Sequence, residues 1–272
     1  MDSIRENESL QDMVDTLRLE LSQDISHKLR VVIVEGDDDV SFVKNVFEPN
    51  VCVYESISGK QDVKNLIESM ELQDERIIGI RDVDYADRTT MPDRLFCYDN
   101  CCLEVMLFSN DAVFQQIFHT YYQGTTDVED LLGRVLQELS PLSILRRENE
   151  RNQWNIDLRR AHIGDCVDTD HETLDHEKVF HKLSQTYMTL DDCKIQGNAL
   201  NEDQLMDITN GHDMCRFMGA ILQDKKGSLG EDRTFRLLLC NYRKEDFQTT
   251  RLYDEVRSYQ QSCGMQNAKF VE

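Results

Sequence analysis

The sharpest pattern in the chain lies at residues 30–39, Arg-Val-Val-Ile-Val-Glu-Gly-Asp-Asp-Asp. Val31, Val32, Ile33 and Val34 have the stiff, β-branched side chains of a strand buried on both faces, as in a parallel sheet covered by helices. The run then stops at an acid, a glycine and three more acids. Before it, Leu10, Met13, Val14, Leu17 and Leu21 recur at spacings of three and four, which predicts an amphipathic helix over residues 7–22. After it, Val40, Val43, Val46 and Phe47 predict a helix ended by Pro49 and Asn50. Residues 51–57 read as a second strand, Ser58 and Gly59 as a turn, and Val63, Leu66, Ile67 and Met70 as a second helix. Residues 76–80 give a third strand that runs into Arg81-Asp82-Val83-Asp84, followed by a short strand at 95–98 and a helical pattern over 103–118.

Strands alternating with helices predict right-handed crossovers and an α/β fold, a parallel sheet flanked by helices whose first three strands end at one edge. Beyond residue 120 the pattern turns mainly helical, with Val128, Leu131, Leu132, Val135, Leu136, Leu139, Leu142, Ile144 and Leu145 as its clearest stripe. Residues 162–196, rich in Asp, His and Thr, read as loop with short helices, and further helical patterns cover 214–222, 235–239 and 253–259. The expected organisation is an N-terminal helix in 1–27, the sheet domain in 28–120 and a mainly helical region in 121–272.

In open α/β sheets, ligands bind at the carboxyl ends of the strands. Glu35 follows the first strand there and Asp82-Val83-Asp84 follows the third. The two-residue spacing turns both aspartates to one side if the chain stays extended. Converging carboxylates raise one another's pKa values unless a cation compensates them, and hard oxygen ligands select Mg²⁺ or Mn²⁺. Asp39, one helical turn past Glu35, flanks the same place. Glu104 is the one acid in an apolar helix start, Leu103-Glu104-Val105-Met106-Leu107, and an acid so placed needs a partner. Asp37 and Asp38 read instead as helix-capping residues.

Charge narrows the picture. With 52 acids against 30 Lys plus Arg, the formal net charge is -22, which argues against indiscriminate adhesion to nucleic acid, a process driven by cationic surfaces. The best local patch is Arg146, Arg147, Arg151, Arg159 and Arg160 around the single tryptophan, Trp154. It reads either as a grip on phosphates and bases or, given Glu148, Glu150 and Asp157, as a salt-bridged helical face. Nine cysteines, an odd number with no Cys-x-x-Cys, point to reduced thiols in a cytoplasmic protein rather than to disulfides or zinc. No apolar run reaches the ~20 residues of a membrane helix. His162, His171, His176 and His181 read as members of a solvated acidic loop, and Asn210-Gly211-His212-Asp213 as a helix cap.

Val-Glu-Gly after one hydrophobic strand and Asp-Val-Asp after a later one resemble the TOPRIM domain of topoisomerases, primases and OLD-family nucleases, over roughly residues 28 to 110. The Glu35-x-x-x-Asp39 spacing, the Ser58-Gly59-Lys60 turn and the Leu103-Glu104 helix start are similar to the OLD-like branch. Gly59-Lys60 and Asn210-Gly211-His212-Asp213 further resemble the bacterial TOPRIM proteins encoded beside ABC-type ATPases, the family of the nuclease subunit of the PARIS anti-phage system. The resemblance implies metal-dependent phosphodiester hydrolysis of DNA or RNA, transfer RNA included. Asp82, Asp84 and Glu35 would hold one Mg²⁺ or Mn²⁺ ion, and Asp39 and Glu104 would help to hold a second, in the two-ion manner of many nucleases. Lys60 is then either a contact to the developing phosphorane charge or an ordinary turn lysine. The chain has no Gly-x-x-x-x-Gly-Lys-Ser/Thr motif, so the resemblance implies control in trans by an ABC-type ATPase sensor. The sequence leaves the oligomeric state open, with a homodimer when active as one alternative. The competing expectation is a TOPRIM scaffold or metal-dependent regulatory module without catalysis.

Overall fold

The computed structural model describes residues 9–57, 59–265 and 268–272; Ser58 of the expected turn lies outside them. The elements along the chain are α1 (Leu10–Gln23), β1 (Arg30–Val34), α2 (Asp37–Val46), β2 (Val51–Glu55), α3 (Lys60–Glu68), β3 (Ile77–Arg81) and β4 (Leu95–Cys97), then α4 (Leu103–Phe108), α5 (Asp111–Tyr121) and α6 (Val128–Asn152). Two short antiparallel ribbons interrupt the later helices α7 (His176–Leu183), α8 (Leu190–Asn198), α9 (Glu202–Met206), α10 (Gly211–Ile221), α11 (Glu231–Asn241), α12 (Lys244–Phe247) and α13 (Arg251–Ser262). None of the described helices is long and apolar enough to cross a membrane.

Strands β1 to β4 form one sheet in the order β2-β1-β3-β4, with all pairs parallel. The β-branched run therefore occupies an inner strand, and all five residues of β1 are buried. Val31 and Ile33 pack with Ile77 and Leu95 against Val14, Leu17 and Leu21 of α1 and Val63, Leu66 and Ile67 of α3. Each such aliphatic side chain contributes about 1.5–3 kcal/mol when fully buried. Gly79, opposite Ile33 in the register, sets how close α3 lies to the sheet. A Cβ there would fall 2.8 Å from Ile67 and 3.0 Å from Val63, so no side chain fits without moving the helix. A second cluster is aromatic: Phe42 of α2 meets Tyr98 edge-on at 5.6 Å and Phe247 at 5.8 Å, and Phe247 in turn meets Tyr253.

The chain divides into two compact units. One contains residues up to Val83, Asp87–Asp99 and Arg243–Glu272; the other contains Asp84–Ala86 and Asn100–Tyr242. The sheet belongs to the first unit, together with α1 and the last two helices. The expected break near residue 120 thus falls inside the second unit. The C-terminal segment returns to the sheet because α12 and α13 bury Phe247, Leu252, Tyr253 and Val256, and the Arg251 and Leu252 N–H groups donate to Asp99. The second unit is helical, as expected of that part of the chain. Its spine is α6, which buries Leu131, Val135, Leu136, Leu139, Leu142, Ile144 and Leu145 and runs through Pro141. Close packing of α8 on α6 rests on Gly197, whose missing Cβ would lie 2.4 Å from Ser140 Oγ.

Strand ends shift by one or two residues from expectation, and two helical boundaries differ more. The pattern over 103–118 is broken into α4 and α5, because the Asn110 side chain accepts the Val113 N–H and starts a new helix. Met70 falls outside α3 in a short 3-10 turn and stands exposed.

Candidate metal centre

Glu35 is the first residue after β1 and Asp82 the first after β3, at the carboxyl ends of adjacent parallel strands. The two are tied directly: the Asp82 backbone N–H donates to Glu35 Oε1 at 2.9 Å. Beyond β2, the Ser56 N–H donates to the Val34 carbonyl and its hydroxyl to the Glu35 carbonyl, which pins the same strand end from the other side. Asp39 sits in the first turn of α2, and its Oδ2 accepts the Gly36 N–H at 3.0 Å. Asp39, rather than Asp37 or Asp38, is therefore the acid that caps this helix. Asp37 and Asp38 are exposed, where they favour the positive helix start by charge alone.

A residue not singled out from the sequence lies among these acids. Tyr98 follows β4 and is fully buried, its N–H donating to the Arg81 carbonyl. Burial pushes its hydroxyl pKa well above 10, and the charges of Asp39, Asp82 and Glu35 push it the same way. Tyr98 is therefore a buried phenol that burial and these acidic charges keep neutral. The available signal was positional, since Tyr98 ends a fourth strand parallel to the others, but an aromatic beside a strand reads as core.

The second unit carries Asp84 and Glu104. Asp84 adopts a left-handed backbone with φ of 51°, and its N–H donates to the Cys101 carbonyl. The chain is not extended at this point, so strand alternation does not orient Asp84. Glu104 is mostly buried, 14 % exposed, with His212 Nδ1 3.7 Å from its Oε1. Gly211 presses against it: a Cβ would lie 2.3 Å from Glu104 Oε2 and 2.7 Å from Cys102 Sγ. His212 also meets Glu231 at 3.0 Å. Asp213 is gripped by Arg146 through two hydrogen bonds of 2.6 and 2.9 Å. Asn210 caps α10 as expected, accepting the Asp213 N–H. The Asn-Gly-His-Asp stretch thus combines a cap with a close approach and side-chain contacts to Glu104, Glu231 and Arg146, and these need distant partners that no local pattern shows.

The other candidates are placed as follows. Lys60 begins α3, half-buried, after Gly59 at φ of 76°, a backbone conformation that favours glycine. Arg146 is committed to the buried Asp213 pair. Arg147 and Arg151 engage Glu148, and Arg159 engages Asp157, while Arg160 is exposed. Trp154 stacks on Tyr187 with ring centroids 4.9 Å apart. The histidines disperse: His171 pairs with Asp168, His176 Nε2 meets the Glu138 carbonyl at 2.7 Å, and His162 and His181 are exposed.

Compared with known proteins, the chain matches no family model, no curated protein and no solved structure. Within the first unit the three acids are of the type that a hard divalent cation takes as ligands, and their carboxylate oxygens do not all lie within 4.8 Å of one another. Glu35, Asp39 and Asp82 supply carboxylate oxygens to one sheet edge, each on rigid backbone, and their combined charge is the kind that such an ion neutralises.

Proposed function

We propose that the chain is a Mg²⁺- or Mn²⁺-dependent nuclease of TOPRIM type, hydrolysing phosphodiester bonds in DNA or RNA. The observation that carries this reading is the placing of Glu35 and Asp82 at the carboxyl ends of adjacent parallel strands, tied by the Asp82 N–H to Glu35 Oε1, with Asp39 one helical turn past Glu35. On this reading those three acids hold the metal. The sequence resemblance adds Asp84 and Glu104 as further ligands and permits a second ion. Bound there, the metal would supply a lowered pKa for an attacking water and neutralise charge on the leaving oxygen. The protein's own contribution is position: the Asp82 N–H fixes Glu35, and the Gly36 N–H fixes Asp39, so neither carboxylate has to be ordered when substrate arrives. The resemblance further suggests a toxic effector of anti-phage defence, controlled by an ABC-type ATPase.

A second reading is favoured by the same two bonds. Glu35 and Asp39 each accept a backbone N–H, so the acids also serve as struts, as in a non-catalytic scaffold. The test is cleavage of DNA, transfer RNA and total RNA in Mg²⁺, with and without the partner ATPase, beside Glu35→Gln and an Asp82→Asn, Asp84→Asn double variant. The nuclease reading expects metal-dependent products from wild type that both variants lose. Undiminished cleavage by both variants would overturn the site, and no cleavage by wild type under either condition would leave the scaffold.

A further inference from the structure

Strand β2 forms one edge of the sheet, and among the described residues no strand pairs with its outer side. It is also the least covered strand. Every residue of β1, β3 and β4 is buried, whereas none of β2 is, and Cys52 stands exposed. The Ser56 N–H donates to the Val34 carbonyl, and successive residues of a strand present their N–H and C=O groups to opposite sides. Cys52, Tyr54 and Ser56 therefore address β1, and the N–H and C=O of Val53 point outward. Proteins usually blunt such an edge with lysine, proline or a bulge. Val51–Glu55 holds neither lysine nor proline, and its register with β1 is unbroken.

A groove of about 430 Å³ runs along this edge, in the size range of cavities that take a ligand. Residues 53–57 line it without a gap, with Met13 and Thr16 of α1 as the opposite wall. Side chains alternate between the two faces of a sheet, so a consecutive run lines one groove only along the margin of the strand. Met13, Val53 and Ile57, the last 39 % exposed, give the groove apolar surface. Among the described residues no lysine or arginine lines it, whereas Asp12 and Glu55 do. Glu20 adds its charge beside Tyr54, whose hydroxyl donates to it. We propose that this edge receives an extended, basic segment of a partner protein, which joins the sheet as a further strand beside β2. Val53 supplies backbone pairing, the groove takes alternate side chains of the segment, and Asp12, Glu20 and Glu55 select lysine or arginine among them. The same charges disfavour a second copy, because two such edges on chains of net charge -22 would bring like charges together. No metal takes part, so the pairing is separable from the proposed nuclease chemistry.

Fluorescence anisotropy of the full chain in EDTA tests this, with a labelled heptapeptide of alternating lysine and valine as the probe. Saturable binding below about 1 mM is expected, and a peptide with glutamate in place of lysine should not bind. Methylating the probe's backbone nitrogens along one edge blocks pairing but keeps the charge, and should weaken binding at least ~tenfold. Val53→Pro removes an outward donor, a change that edge strands tolerate, and should weaken binding about fivefold. Thr16→Lys puts a cation in the groove and should weaken it about threefold. Should Val53→Pro fail to fold, the methylated probe and Thr16→Lys decide the matter. Equal binding of the plain and methylated probes, or no saturable binding to wild type below about 1 mM, would overturn the proposal. So would sedimentation showing a dimer of wild type that Thr16→Lys leaves intact and folded Val53→Pro abolishes, since a second copy would then fill the edge.

Discussion

Glu35 has a structural and an electrostatic role, and two substitutions separate them. Its Oε1 accepts the Asp82 N–H at 2.9 Å in a half-buried setting. A hydrogen bond to a charged group contributes about 1.5–3 kcal/mol and a neutral one about 0.5–1.5. Glu35→Gln keeps an oxygen acceptor of the same reach and relieves repulsion from Asp39 and Asp82, so its net cost should be at most about 1 kcal/mol. Glu35→Ala leaves the Asp82 N–H without its partner and should cost about 2 kcal/mol. Urea unfolding of the three proteins in EDTA, followed by circular dichroism, reads these differences as midpoint shifts at constant slope. Repeating the series with Mg²⁺ at about ten times its dissociation constant should stabilise wild type by about 1.4 kcal/mol and the variants by much less. Wild-type stability for Glu35→Ala in EDTA would refute the strut. A full Mg²⁺ effect in Glu35→Gln would remove Glu35 from the metal set.

Further expectations follow from the packing. Gly79→Val, whose Cβ would sit 2.8 Å from Ile67 and 2.9 Å from Leu95, should destabilise the sheet by about 2–3 kcal/mol by overpacking, read from the urea midpoint. Arg146→Met removes the closer of the two guanidinium partners of the 3 % exposed Asp213 carboxylate, leaving Arg216 at 3.5 Å, and should cost about 2 kcal/mol; adding Asp213→Leu should recover part of that loss in a double-mutant cycle. Asp24 is pushed up by burial, but the Ser26 hydroxyl, the Leu29 and Lys28 N–H groups and Arg76 outweigh this and hold it at about 2. A depressed carboxylate contributes stability that is full above its ordinary pKa of 3.8 and is lost as pH falls toward 2. Asp24→Asn should therefore flatten the acid limb of the urea midpoint between about pH 4 and pH 2, and an unchanged limb would contradict the assignment.

The sheet was legible because its information is local. Val31 to Val34 and Ile77 to Ile80 are runs that only a doubly covered strand accommodates, and the alternation with helical stripes fixed parallel pairing. Glu35 and Asp82 were legible for the same reason, since an acid directly after a buried strand has one place to go. What stayed hidden depends on contacts distant in sequence. Nothing near residue 243 announces that Phe247 and Tyr253 return to the sheet, so the unit boundary was placed too simply. The facing of Asp84 rested on an extended chain, and its left-handed backbone removes that condition. Arg146 was read either as a phosphate contact or as part of a salt-bridged helical face, and neither reading showed Asp213, its buried partner 67 residues away. Tyr98 was passed over because its significance comes from three acids on other elements.

The most direct test is metal binding itself, measured apart from any substrate. Mn²⁺ titration by electron paramagnetic resonance on wild type, Glu35→Gln, Asp39→Asn and Asp82→Asn counts bound ions against free ones. Saturable binding to wild type, weakened at least ~tenfold by each single substitution as expected when a ligating charge is removed from a hard-ion site, is the expected result. Equal Mn²⁺ binding by all four proteins, or none by wild type at millimolar metal, would contradict a metal centre at Glu35, Asp39 and Asp82.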